Sequence, residues 1–283
     1  MSRTEYRAAP RTIMPPPTLV VSATRNDTDL LWQQLRAAAA DVAQREPLLQ
    51  PRMQALVLER PTPAAMIAAV LARGLACSDL PEAALATLME NIIDHDAALL
   101  ARVATDLTAV TQRDPACPNA LHVLLNLKGF QALQVYRIAH ALWREEREEL
   151  AFALANQASV AFAVDIHPAA RIGAGVMLDH GTGIVIGETS VIEDNVSILQ
   201  NVTLGGTGKE HGDRHPKIRS GVMLGAGAKV LGNIEIGSMS KVAAGSVVLS
   251  NVPPHCTVAG VPARIVRQHR GDSCPSLDMD QTL

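Results

Sequence analysis

Residues 165–204 read DIHPAARIGAGVMLDHGTGIVIGETSVIEDNVSILQNVTL. An aliphatic side chain returns at every sixth position, at Ile166, Ile172, Leu178 and Ile184 and then, after a slip of two, at Ile186, Ile192, Ile198 and Leu204. Beyond a break the frame resumes at Ile218, Leu224, Val230, Ile236, Val242 and Val248. Small or turn-forming residues stand between, as at Gly175, Thr189, Gly221, Gly227 and Gly245. One inward aliphatic per short strand, repeated every six residues, marks a parallel β-helix whose stacked coils bury a column that no single repeat could bury. No Phe, Trp or Tyr follows Phe162, which suits an interior one aliphatic layer wide.

The break itself, GGTGKEHGDRHPK at 205–217, is glycine-rich, charged and without aliphatic residues, so it is expected to leave the column as a protruding loop. N-terminal to the repeat the period is helical. Asp27 or Thr28 is placed to cap a helix ending before Pro47. Ala-rich helices are expected over 64–73, 82–93 and 97–112, and others over 119–145, interrupted near Gly129, and 147–161. The expected organisation is a flexible leader at 1–25, an α-helical domain at 26–161, a β-helix at 162–262 and a tail at 263–283. The fold class is therefore α plus β-solenoid.

The 283 residues carry a net charge of −3, with 48% hydrophobic and 19% charged residues, which excludes a disordered chain and gives no footing for nucleic acid or an anionic membrane. No apolar run approaches the length of a membrane span. The basic N-terminus is broken by Pro15–Pro17 and lacks the apolar core of a secretory signal. Cys77, Cys117, Cys256 and Cys274 are scattered, which reads as free thiols in a reducing, cytoplasmic setting.

The stretch from VDIHPAARIGAGVMLDHGTGIVIGE through HGDRHPKI to LGNIEIG, with LKGFQALQVYRIAHALW before it and SVVLSNVPPHCTVAGVPARIV after it, resembles the core of bacterial serine O-acetyltransferases over about residues 105–266. The resemblance implies a left-handed β-helix and direct acetyl transfer from acetyl-CoA to L-serine in a ternary complex, within cysteine biosynthesis. His180 in LDHGTG matches the general base and Asp165 its carboxylate partner. A serine hydroxyl is a poor nucleophile at neutral pH, and a neutral imidazole is suited to take its proton. Arg214 matches the holder of the substrate carboxylate, for which a guanidinium offers a bidentate fork. Asp114 and Asp179 match the carboxylates that hold the ammonium, and His215 matches a further serine-site residue.

Gly205, Gly206, Ala226, Lys241, Ala259, Gly260 and Arg264 correspond to the CoA-contacting region. No permanent cofactor or metal is implied: His211 and His215 lie four apart, but on a glycine-rich loop rather than a helix. The resemblance further implies a homo-oligomer, a trimer or a dimer of trimers, with feedback inhibition by cysteine. It also implies docking of the tail, here ending SLDMDQTL, to O-acetylserine sulfhydrylase. The competing readings are an acetyltransferase of the same architecture acting on homoserine, a sugar or an antibiotic, a γ-type carbonic anhydrase, and a purely structural solenoid. The carbonic anhydrase requires a third histidine ligand for which the chain has no convincing candidate, and a sugar acceptor would leave the ammonium-binding carboxylates idle.

Overall fold

The computed structural model describes residues 25–208, 211–269 and 273–282, so the leader expected at 1–25 lies outside them apart from Arg25. Helix α1 (Arg25–Arg45) starts before the expected caps and carries Asp27 in its first turn, where a carboxylate meets the positive end of the helix dipole. A short helical stretch that the sequence pattern did not show follows, α2 (Gln50–Met53) running into a π-helical turn at Gln54–Leu58. Then come α3 (Pro63–Leu75), capped by Thr62 through the Ala65 amide, and α4 (Glu82–His95). The Asp96 side chain caps α5 (Ala97–Arg113) in the same way, at the Leu99 amide. The interruption near Gly129 falls at Leu127, between α6 (Ala120–Asn126) and α7 (Lys128–Arg144). Helix α8 (Glu148–Phe162) ends on Ala163 in the left-handed region and hands the chain to the solenoid. Among the described residues, no helix is long and apolar enough to cross a membrane.

The six-residue frame becomes a three-sided prism of parallel strands. The first face stacks β1 (Val164–Ile166), β4 (Ile184–Ile186), β7 (Thr203–Gly205), β10 (Lys229–Leu231) and β13 (Val247–Val248). The second stacks β2 (Arg171–Ile172), β5 (Val191–Ile192), β8 (Lys217–Ile218) and β11 (Glu235–Ile236). The third stacks β3 (Met177–Leu178), β6 (Ser197–Ile198), β9 (Met223–Leu224), β12 (Lys241–Val242) and β14 (Cys256–Gly260). Every aliphatic residue of the frame is buried.

Register shows where the repeat is regular and where it is not. Ile166, Ile186, Leu204, Val230 and Val248 pair in succession on the first face. Two of those steps are three hexads long. The first step holds two extra residues, at the corner after Leu178, and the third holds eight, in the loop after Leu204. These are the slip and the break seen in the sequence.

At the C-terminal end β15 (Ala263–Gln268), which the sequence reading assigned to the tail, folds back antiparallel on β14. The segment from Ser273 to Thr282, containing α9 (Pro275–Asp278), lies across the third face. Ser197 Oγ donates to the Ser276 carbonyl at 2.8 Å, the Ser276 amide reaches the Gly221 carbonyl at 3.3 Å, and Lys241 Nζ donates to the Asp280 carbonyl at 3.0 Å. The outward residues of this face, Met177, Ser197, Met223 and Lys241, are consequently buried beneath helices and tail.

The two halves share one hydrophobic core that runs from Trp32 to Ala263. Their seam is also bonded. Arg137 on α7 and Asp106 on α5 form a fully buried ion pair at 2.8 Å. Arg137 continues to the Gly173 carbonyl at 2.6 Å, and Asp106 accepts from the Val176 amide at 3.1 Å. Tyr136 donates to the Ala170 carbonyl at 2.5 Å. The first coil of the prism is thus held by name to two helices.

Candidate active site

The two extra residues of the first coil form a corner, Asp179 to Gly183, that joins the third face to the first. Its backbone is left-handed at His180, Gly181 and Gly183, with φ of +57°, +76° and +75°. A histidine rarely adopts that region, and strained non-glycine backbone concentrates at functional positions. The turn projects the His180 imidazole into solvent, 73% exposed, with Nε2 3.9 Å from the Asp179 carboxylate.

Beneath the ring lies a cavity of about 370 Å³ lined by His180, Asp179, Asp114, His122, Asn126 and Lys128, with an apolar floor that includes Val110 and Phe130. Asp114 comes from the C-terminus of α5. The preceding Arg113 is buried and donates to Ser197 Oγ at 3.2 Å and Asn195 Oδ1 at 3.0 Å, which fixes where α5 ends against the second coil. Burial first, and then the negative charge of Asp114, push the Asp179 carboxyl above the usual aspartate range, against the opposing pull of His180. An ammonium entering this cavity would relieve that repulsion between carboxylates.

Arg214 and His215 gather at a different corner, where the first face meets the second. Thr189 Oγ1 accepts from the amides of Arg214 at 3.0 Å and His215 at 3.1 Å, and so pins the end of the eight-residue insertion. Arg214 Nη2 donates to Glu188 at 2.7 Å. The His215 ring lies over Gly187, where a Cβ would stand 2.1 Å from Nε2, so only glycine fits. Its Nδ1 accepts from the Thr189 amide at 3.2 Å, which places the proton of the neutral ring on Nε2, over Gly187. Burial and then the neighbouring Arg214 push this imidazole below its usual pKa, so it stays neutral near pH 7. Glu188 and Thr189 were not singled out as site residues in the sequence. Their signal was the polar GETS interval between two aliphatic positions.

The two clusters therefore stand at opposite edges of the first face, and Asp165 stands between them. It is exposed in the middle of β1, paired in register with Val185, and borders a separate hollow with Phe152, Asn156, Ser159 and His167. Among the described residues, the carboxylate paired with the His180 ring is that of Asp179.

The residues expected at CoA fall into three places. Ala226 and Gly260 share the edge of His180. Successive backbone bonds mark that edge, from the Asn201 amide to the Thr182 carbonyl, Gly227 to Gln200, and Gly245 to Ala226, with the Gly260 amide on Ser246 Oγ. At about 4.8 Å per coil this edge runs roughly 19 Å from His180 to Gly260. Ala259 and Arg264 flank its far end on β14 and β15. Gly205 and Gly206 lie instead beside the other corner, with Gly206 against the Arg214 side chain. Lys241 does not reach the edge in this structure. It points out of the third face, buried, with its ammonium bonded to the carbonyls of Asp280 and Thr282. The C-terminal tail satisfies its charge in place of a phosphate. Among the described residues there is no cluster of side chains fit to hold a metal ion.

Comparison with known proteins gives a consistent picture. Residues 31–135 match the family model described as "Serine acetyltransferase, N-terminal". The chain is 54% identical to the serine acetyltransferase of Salmonella typhimurium over 255 residues, which is 90% of this chain and 93% of that protein. A serine acetyltransferase solved in complex with cysteine superposes with a TM-score of 0.88 at 50% identity, covering 90% of this chain and 99% of that one. The serine acetyltransferase of Brucella abortus, solved with coenzyme A, gives 0.84 at 46% identity, with coverage of 87% and 98%.

Proposed function

The chain belongs to the serine acetyltransferase family, and from that membership we infer that it transfers the acetyl group of acetyl-CoA to the hydroxyl of L-serine, giving O-acetyl-L-serine and CoA. The observation that carries the reading within the molecule is the pairing of Asp114 with Asp179 beside His180. Two carboxylates at one cavity suit the ammonium of an amino acid and have no use for a sugar.

In this reading the serine ammonium lies between Asp114 and Asp179, which brings its hydroxyl under the His180 ring. His180 takes the hydroxyl proton as the oxygen attacks the thioester carbonyl, and the proton then passes to the departing CoA thiolate. Asp165 stands away from His180 in its own chain, so it orients the imidazole and stabilises its charged form from the facing copy. Arg214 and His215 hold the α-carboxylate, Arg214 by its guanidinium and His215 by its Nε2–H. Acetyl-CoA lies along the edge from His180 past Ala226 to Ala259, Gly260 and Arg264. Gly205 and Gly206 supply backbone amides near the reacting carbonyl. Cysteine presents the same ammonium and carboxylate as serine, so it competes for this site. Docking of the tail to the sulfhydrylase would require the Ser276, Asp280 and Thr282 bonds to the third face to open.

The reaction is tested by following CoA release with serine, homoserine and a sugar as acceptors. Serine is expected to be preferred by two orders of magnitude or more, roughly the discrimination a site gains from pairing buried polar groups. Equal rates with the sugar would exclude the assignment.

Because His180 and Arg214 occupy opposite edges of one face, a complete site takes the His180 edge of one copy and the Arg214 edge of the next, in a closed ring. We therefore expect complementation. His180→Ala and Arg214→Ala are each nearly inactive, and co-refolding them in equal amounts restores about one quarter of wild-type activity, the chance that an interface receives both intact edges. No recovery, or a monomeric mass at working concentration, would show that each chain is complete alone.

A further inference from the structure

We propose that Lys128 is a positioning residue for the reaction, holding the corner that carries His180. The inference rests on the assignment of His180 as the base. It starts from how little binds the corner to the helical half. The backbone bonds within Asp179–Gly183 and to the neighbouring coil, such as Gly181 N to Asp179 O at 2.6 Å and Asn201 N to Thr182 O at 2.8 Å, run within the prism, and the Gly183 amide reaches the carbonyl of Ala163, where α8 ends, at 2.7 Å. The first turn of α7 is what presses on the corner from outside. A Cβ at Gly129 would stand 2.0 Å from the Leu178 carbonyl oxygen, and a Cβ at Gly181 would stand 3.0 Å from the Gly129 Cα. Backbone meets backbone here, with no side chain between.

Beside that contact the Lys128 ammonium donates to the Thr182 hydroxyl, two residues past His180. Lys128 also lines the same cavity as Asp114, Asp179 and His180. It therefore ties a left-handed, strained corner to a long helix that is itself fixed by the Arg137–Asp106 pair. Strain of this kind persists only where the surroundings over-determine it.

The test is steady-state kinetics on Lys128→Met, Lys128→Arg and Thr182→Val, each checked for wild-type melting temperature. Lys128→Met is expected to lower kcat about ten- to a hundredfold, the range a displaced base produces, with KM for serine little changed. Lys128→Arg should restore most of kcat. Thr182→Val should lower kcat in the same way, because it removes the acceptor of the tether. Wild-type kcat in Lys128→Met would overturn the proposal, as would a loss confined to KM or Lys128→Arg falling as far as Lys128→Met. A fully active His180→Ala would instead remove the assignment of the base, an outcome separate from any result at Lys128.

Discussion

Replacing His180 by alanine is expected to lower kcat by about 10²–10⁴-fold, the range over which a positioned base contributes, while KM for serine changes little. The split follows from the division of labour at the corner. The substrate ammonium belongs to Asp114 and Asp179, which remain, whereas the attacking hydroxyl loses the imidazole that takes its proton. The ring is 73% exposed, so its removal opens no void. The backbone at φ +57° is the one complication, since alanine tolerates that region poorly. His180→Asn is the control, because asparagine visits the left-handed region readily and is not a base near neutral pH. Both variants should lose activity to the same extent with unchanged melting. Activity within tenfold of wild type in either would mean that the proton leaves by another route.

The second large effect is on stability. Arg137→Met should destabilise the protein by about 3–5 kcal/mol, because it leaves the Asp106 carboxylate buried without its cation. Both side chains are almost fully buried, at 3% and 0% exposure, so solvent cannot stand in for the missing partner. Removing the pair together, as Asp106→Leu with Arg137→Met, should recover part of the loss. It should not recover all of it, since the Val176 amide and the Gly173 carbonyl would still lack their bonds. Denaturant unfolding at a fixed protomer concentration reads the difference, and fixing the concentration matters because association adds to apparent stability. A single substitution costing under about 1 kcal/mol would show that water enters the seam. The pair holds the coil that leads into Asp179 and His180, so the single variant should also lose kcat beyond what its stability explains.

Much of this molecule was legible as a pattern. The six-residue period marked strands β1 to β13 of the prism, because a narrow column admits only aliphatic residues at inward positions; β14 lay beyond the frame, which ended at Val248. The same regularity made its failures conspicuous. The slip after Leu178 became the His180 corner, and the break after Leu204 became the loop that delivers Arg214 and His215. The helices were readable from their apolar stripes and, for the first, from the Pro47 that follows it. The turn at Gln50–Leu58 was not, since a segment that short and irregular has no period to detect.

Lys241 shows the limit from the other side. Its place in the motif suggested a phosphate, but whether an ammonium is free depends on which chain segment lies over it, and here that is the C-terminal tail. Arg113, Arg137 and Lys128 share the difficulty. In the sequence each is one more basic residue of the helical half, and only their partners on the prism, Ser197, Gly173 and Thr182, give them a purpose.

The sequence by itself therefore determined the prism, its two interruptions and the chemistry of the residues placed in them, because each depends on local period and residue type. Only the tertiary structure decided that Asp114 meets Asp179, that Arg214 stands a full face away from His180, and that a helix presses on the base. Those relations join residues tens of positions apart through the way coils stack and helices dock, and no local pattern in the chain encodes that distance.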